Sequence, residues 1–102
     1  MNLKSVLIEE AQSEIRQASF WYETQSRGLG KEFIKSIRLA LKSIKNTPEG
    51  FALRLGNFRA IPLNKFPYLL YYQLDEKDRL IVVFAVLHTH SHPKNFQSRI
   101  QK

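Results

Sequence analysis

The chain has 102 residues, and sixteen Lys and Arg against nine Asp and Glu give a formal charge of +7 and a pI near 9.9. That length fits one domain with a core of its own and little surplus. With no cysteine, a disulfide framework and a thiolate zinc site are excluded, and a reducing compartment suits the chain. No apolar run approaches the roughly 18 residues of a membrane span, and Met1-Asn2-Leu3-Lys4 opens no secretory signal, so a cytoplasmic protein that makes no use of a membrane is expected. A pI above about 9 marks an electrostatic footprint for nucleic acid, and the same field attracts an acidic protein.

In chain order, Val6-Leu7-Ile8 is an apolar run too short to read as a strand on its own. From Glu10 to Gln25, Ala11, Ile15, Ala18 and Tyr22 recur on one helical face, with Glu9, Glu10 and Glu14 at the end where the helix dipole favours anions. Phe20, Trp21 and Tyr22 cannot all face inward from one helix, so one of them is expected to border a protein-binding groove. Ser26-Arg27-Gly28-Leu29-Gly30 breaks the pattern.

A second helix, Leu29 to Lys45, sets Leu29, Phe33, Ile37, Ala40, Leu41 and Ile44 along a core stripe, and the short connection predicts an antiparallel helical hairpin. Opposite that stripe, Lys31, Lys35, Arg38, Lys42 and Lys45 fall within an arc of about 80° at about 100° per residue. Such a row can lie along phosphates or an acidic peptide. It is also the ordinary solvated face of a surface helix, the preferred reading at this level.

Beyond Pro48 the period becomes extended. Ala52-Leu53-Arg54, Phe58 to Leu63, Tyr68 to Leu74 and Leu80 to His88 read as strands, separated by Gly56-Asn57, Asn64-Lys65 and Asp75-Glu76-Lys77-Asp78. Pro67 suits the mouth of a strand, because it lacks a donor and has a fixed φ. The last strand has eight apolar residues in succession and is expected inside the sheet, covered on much of both faces. Leu70, Tyr72 and Leu74 share a face, which assigns Tyr72 to the core. The expected architecture is a single α+β domain over residues 1–102, with an N-terminal antiparallel helical hairpin packed on a small curved, mainly antiparallel sheet.

Chemistry concentrates near the C-terminal end. His88, His90 and His92 alternate, so an extended chain points all three imidazoles to one side. One imidazole can take a proton from a ribose 2′-hydroxyl while another gives one to the departing 5′-oxygen. Arg59 on a neighbouring strand can stabilise charge on the phosphate. Arg54, Lys65, Tyr68, Lys94 and Phe96 are candidate nucleic-acid contacts, the aromatic rings by stacking on bases. No Cys or carboxylate within the His-x-His-x-His run completes a zinc site, so neither metal nor cofactor is expected.

Several short motifs stand in a fixed order: Trp21-Tyr22-Glu23 with Gln25, Leu29-Gly30, Phe33, Asn46-Thr47-Pro48-Glu49, Phe66-Pro67-Tyr68 with Tyr72, Val86-Leu87-His88, and His92-Pro93 with Phe96. Their order and spacing resemble the RelE/ParE toxins of bacterial type II toxin–antitoxin modules. The resemblance implies that Val6-Leu7-Ile8 is a further strand. It also implies a growth-arresting toxin held by a cognate acidic antitoxin, through which alone it reaches operator DNA. ParE-type members poison DNA gyrase without a demonstrated catalytic centre, whereas RelE-like ribonucleases cut mRNA in the ribosomal A site by 2′-hydroxyl attack with no metal. The chain has Tyr68, His90 and Phe96 where the ribonuclease pattern carries Arg, Arg and an aromatic hydroxyl. His92 with Phe96 keeps a His-to-Phe spacing that some nucleases of the superfamily use. The pattern therefore leans to gyrase, on which reading His88 caps the last strand. The alternatives are a ribosome-dependent mRNA endoribonuclease with Arg59, His90 and His92 as catalytic residues, and an inactive relative that serves only as an antitoxin-bound co-repressor. Trp21 and the row Lys31, Lys35, Arg38, Lys42 and Lys45 are the expected partner-binding residues.

Overall fold

A computed structural model describes residues 3–91. The elements are β1 (Lys4–Leu7), α1 (Glu9–Gln25), α2 (Leu29–Asn46), β2 (Leu53–Leu55), β3 (Phe58–Pro62), β4 (Tyr68–Asp75) and β5 (Leu80–His88). They form a helical hairpin against a five-stranded sheet of order β1-β5-β4-β3-β2. Every sheet pairing is antiparallel except that of β1 with β5. The N-terminal apolar run is indeed a strand, displaced towards Lys4, because its hydrogen bonds come from the distant Leu80–Val83 segment.

Helix α1 buries Ala11, Ile15 and Ala18 and carries Glu9 and Glu10 in its first turn. It closes where the Ser26 N–H donates to the Tyr22 carbonyl at 3.1 Å. Gly28 then takes a φ of 88°, a left-handed conformation that glycine adopts without a Cβ penalty, and starts α2. Helix α2 buries Gly30, Phe33, Ile37, Ala40 and Ile44, together with Ser36, whose hydroxyl donates to the Phe33 carbonyl at 2.6 Å. At Gly30 the two helices come so close that a Cβ would stand 2.7 Å from the Ser19 carbonyl oxygen.

Two apolar clusters lie on opposite faces of the sheet. Under the helices are Phe33, Ile37, Ile44, Leu70, Tyr72, Ile81, Val83 and Val86, and on the other face are Phe58, Ala60, Tyr71 and Ala85. This covering on both faces is what the unbroken apolar run of β5 requires. Tyr72 is fully buried, as its alternation predicted, and its hydroxyl donates to the Pro48 carbonyl at 2.9 Å.

A register shift in β5 decides which residues belong to which face. Tyr71 pairs with Ala85 while Tyr72 pairs with Val83, which leaves Phe84 as an extra residue in a bulge. Phe84 therefore joins Ala85 on the outer face, edge-on to Phe58 at 4.8 Å. Strict alternation from Ile81 would have placed His88 on that outer face. The bulge returns Val86 and His88 to the side of the helices, opposite Leu70 and Tyr68.

Candidate functional site

The helix-facing end of β4 and β5 is built of stacked rings. Tyr22 of α1 lies over Phe33 at 5.5 Å and meets Phe66 at 4.8 Å, and Phe33 meets Tyr68 edge-on at 5.1 Å. Tyr68 in turn meets His88 at 5.3 Å, and His88 stacks on His90 at 5.2 Å with ring planes 25° apart. Burial raises the Tyr68 hydroxyl above its ordinary value, and Tyr22 beside it adds to the shift. Burial raises Tyr22 likewise.

Strand β5 stops at His88, and the chain turns instead of staying extended. The Ser91 N–H donates to the His88 carbonyl, and the Thr89 N–H to the Pro67 carbonyl, each at 2.8 Å. The His90 N–H donates to His88 Nδ1 at 3.1 Å, which leaves the ring proton of a neutral His88 on Nε2. His88 thus caps the strand, while His90 is exposed at the turn. Next to this end an open groove runs between α1 and β5, walled by Glu14, Gln17, Trp21, Tyr68, Leu87 and His88. Within it Glu14 Oε1 accepts the Val86 N–H at 2.9 Å. Strand β1 pairs only with Leu80–Val83, so this carboxylate covers a donor on the stretch of β5 beyond it.

Arg59 sits elsewhere. It pairs with Tyr72 across the sheet, whereas His88 pairs with Tyr68, four residues away along β4 and so about 13 Å at roughly 3.3 Å per residue. Its guanidinium Nη1 donates to the Phe51 carbonyl at 2.7 Å and the Glu49 carbonyl at 3.3 Å. Arg59 therefore ties down the segment that enters β2. Arg54 is exposed on the edge strand β2. Lys65, at a φ of 74°, pairs with Glu32 at 3.8 Å on the surface. His92, Lys94 and Phe96 lie outside the described residues. Among the described residues no group of three potential ligands gathers to hold a metal.

The hairpin carries the second surface. Phe20 is 74% exposed and Trp21 56%, so two aromatics, not one, stay outside the core, and only Tyr22 packs inward. Phe20 and Ile34 line a groove between the helices, rimmed by Arg16, Arg27 and Lys31. Glu23 closes its far wall by accepting the Gly28 N–H at 3.1 Å and the Gly30 N–H at 3.0 Å. Those bonds, the Gly28 one first, hold the Glu23 carboxyl below its ordinary value, with a smaller contribution from Lys31. Lys31, Lys35, Arg38, Lys42 and Lys45 are all exposed along α2.

Two roles went unread in the sequence. The Glu14 contact spans 72 positions, and no local signal announces it. The Glu23 clamp had one, a carboxylate five and seven residues before two glycines that open a helix.

A helical hairpin on a five-stranded, mainly antiparallel sheet is the α+β architecture of the RelE/ParE superfamily toxins. The same fold recurs in an arginine-to-alanine double mutant of E. coli toxin RelE in the free state, 19% identical, with a TM-score of 0.70 over 98% of this chain and 99% of that one. The intact E. coli RelBE toxin–antitoxin complex gives 20% identity and a TM-score of 0.66, covering 88% of this chain and 100% of that one. The chromosomal ParDE toxin–antitoxin system from P. aeruginosa gives 11% identity and a TM-score of 0.65, covering 84% and 95%. No curated protein sequence matches. Residues 6–93 match the family described as ParE toxin of type II toxin-antitoxin system, parDE, and the chain belongs to that family.

Proposed function

We propose that this toxin acts on DNA gyrase and is held in check by a cognate acidic antitoxin docked on the exposed aromatic face of its hairpin. The observation that carries the target is the separation of Arg59 from the imidazole pair. A metal-independent ribonuclease needs its cation and its proton-transfer groups around one phosphate, whereas Arg59, four residues along β4 from the partner of His88, is held by the Glu49 and Phe51 carbonyls. Gyrase poisoning by surface contact makes no such demand.

The antitoxin reading rests on Phe20, with Arg16, Arg27 and Lys31 beside it, and on Trp21 at the neighbouring groove between α1 and β5. Large exposed aromatics rimmed by charge are the anchors of protein interfaces, and the cations fit an acidic segment that folds on binding. Solved relatives include RelE with an antitoxin RelBc peptide and the RelBE2 complex from Mycobacterium tuberculosis.

The test is purified protein in a gyrase supercoiling assay alongside expression in cells. Inhibited supercoiling with a DNA-damage response, while ribosome-bound mRNA stays whole, is the expected result. Codon-phased mRNA cuts appearing first, with gyrase unaffected, would favour the second reading. That reading, a ribosome-dependent endoribonuclease using His90 and His92, draws on the stacked His88–His90 pair beside Tyr68.

A further inference from the structure

We propose that the outer face of α2 is a docking surface for the sugar–phosphate backbone of a nucleic-acid duplex. Lys31, Lys35, Arg38, Lys42 and Lys45 stand exposed in one row, opposite the side that buries Phe33, Ile37, Ala40 and Ile44. Glu32 is the only acidic residue of α2, and it turns to Lys65 at 3.8 Å. The row therefore presents a single sign of charge.

Its dimensions fit a duplex. From Lys31 to Lys45 the helix rises about 21 Å at roughly 1.5 Å per residue, and duplex DNA carries about one negative charge per 1.7 Å of its axis. A duplex segment of that length carries about a dozen phosphates around its circumference, and those on the near side lie within reach of five flexible side chains. Arg16 and Arg27 gather near Lys31 at the groove where α2 begins, which extends the positive field past the end of the row.

An acidic peptide fits this face less well. The exposed large apolar residue on α2 is Leu39, at 45%, while the aromatic pair belongs to α1. A peptide folding along the row would bury little apolar surface and would rely on exposed ion pairs, each worth about 1 kcal/mol or less. A polyphosphate needs no apolar burial, since counterion release supplies its affinity. The surface supplies residence on nucleic acid without sequence information, and it stands whether gyrase or the ribosome is the target.

The test is fluorescence anisotropy with a labelled DNA duplex of arbitrary sequence, titrated at several salt concentrations. The logarithm of the affinity should fall linearly with the logarithm of salt, with a slope approaching about −4.5 if all five cations engage, at roughly −0.9 per phosphate. Lys35→Gln with Lys42→Gln should weaken binding and flatten the slope by about 1.8. Lys4→Gln with Lys77→Gln removes the same charge from other exposed sites and should leave the slope near that of the parent. Lys and Gln have similar helix propensities, and circular dichroism melts confirm that both pairs fold. Equal losses in the two pairs would mean diffuse net charge and would overturn the proposal. So would poly-glutamate binding tighter than the duplex and weakened by the α2 pair, which would put an acidic peptide on this face.

Discussion

Trp21→Ala separates a docking anchor from a core residue. At 56% exposure, a tryptophan of up to roughly 250 Å² keeps about 140 Å² for a partner, worth about 3.5 kcal/mol at roughly 25 cal/mol per Å². The alanine that replaces it retains part of that contact, so the expected loss is about 2–3.5 kcal/mol, or about 30- to 300-fold in Kd. Within the free protein, Trp21 gives up its edge-on contact with Tyr22 at 5.1 Å, worth about 1 kcal/mol beyond area burial. It also gives up part of the roughly 110 Å² it already covers at about 25 cal/mol per Å², so the loss of stability should be about 1.5–3 kcal/mol. At about 4–8 °C per kcal/mol for a domain of this size, melting should then fall by less than in Tyr22→Ala. Tyr22→Ala is the contrast, since Tyr22 packs on Phe33, Phe66 and Tyr68 and its removal should cost about 3–5 kcal/mol of stability. The assay is calorimetric titration with the antitoxin encoded beside the toxin, paired with thermal melts. Unchanged affinity in Trp21→Ala, with melting lowered as far as in Tyr22→Ala, would refute the anchor and make Trp21 a packing residue.

Gly30→Ala should destabilise the hairpin, because the new Cβ meets the Ser19 carbonyl at 2.7 Å and overpacking costs about 1–3 kcal/mol; a raised melting temperature would mean that helix propensity wins instead. Gly28 has no neighbour within 4 Å, so its φ alone constrains it, and Gly28→Asn should melt close to the parent, since Asn tolerates that conformation. The Glu23 carboxyl is held below its ordinary value of 4.5 by the Gly28 and Gly30 N–H groups, so its contribution is present above pH 4.5 and is lost as pH falls through the lower folded value. Melts across that acid range should show Glu23→Gln with a shallower dependence on pH than the parent, and identical slopes would deny the clamp any role. Arg59→Ala frees the Glu49 and Phe51 carbonyls and should cost about 1.5–3 kcal/mol of stability. An unchanged melt with lost mRNA cleavage on programmed ribosomes would return Arg59 to transition-state stabilisation.

The sequence by itself determined the elements and the family. Ala11, Ile15 and Ala18 on one helix and Phe33, Ile37, Ala40 and Ile44 on the next repeat at helical spacing, and each is buried as that spacing requires. Pro67 and the β-branched and aromatic residues after it mark the sheet, because these preferences act within a few residues of chain. What the tertiary structure alone decided are relations between distant segments. Eight apolar residues in succession hide the alternation of β5, so only pairing with β4 reveals Phe84 as a bulge and turns His88 towards Tyr68. Likewise Arg59, His90 and His92 look available together for phosphate chemistry in the sequence, yet strand register sets Arg59 four residues along β4 from His88, which stands just before the turn that carries His90. Register is a property of two strands together, fixed by their shared hydrogen bonds and by which faces are buried, and neither strand carries it alone.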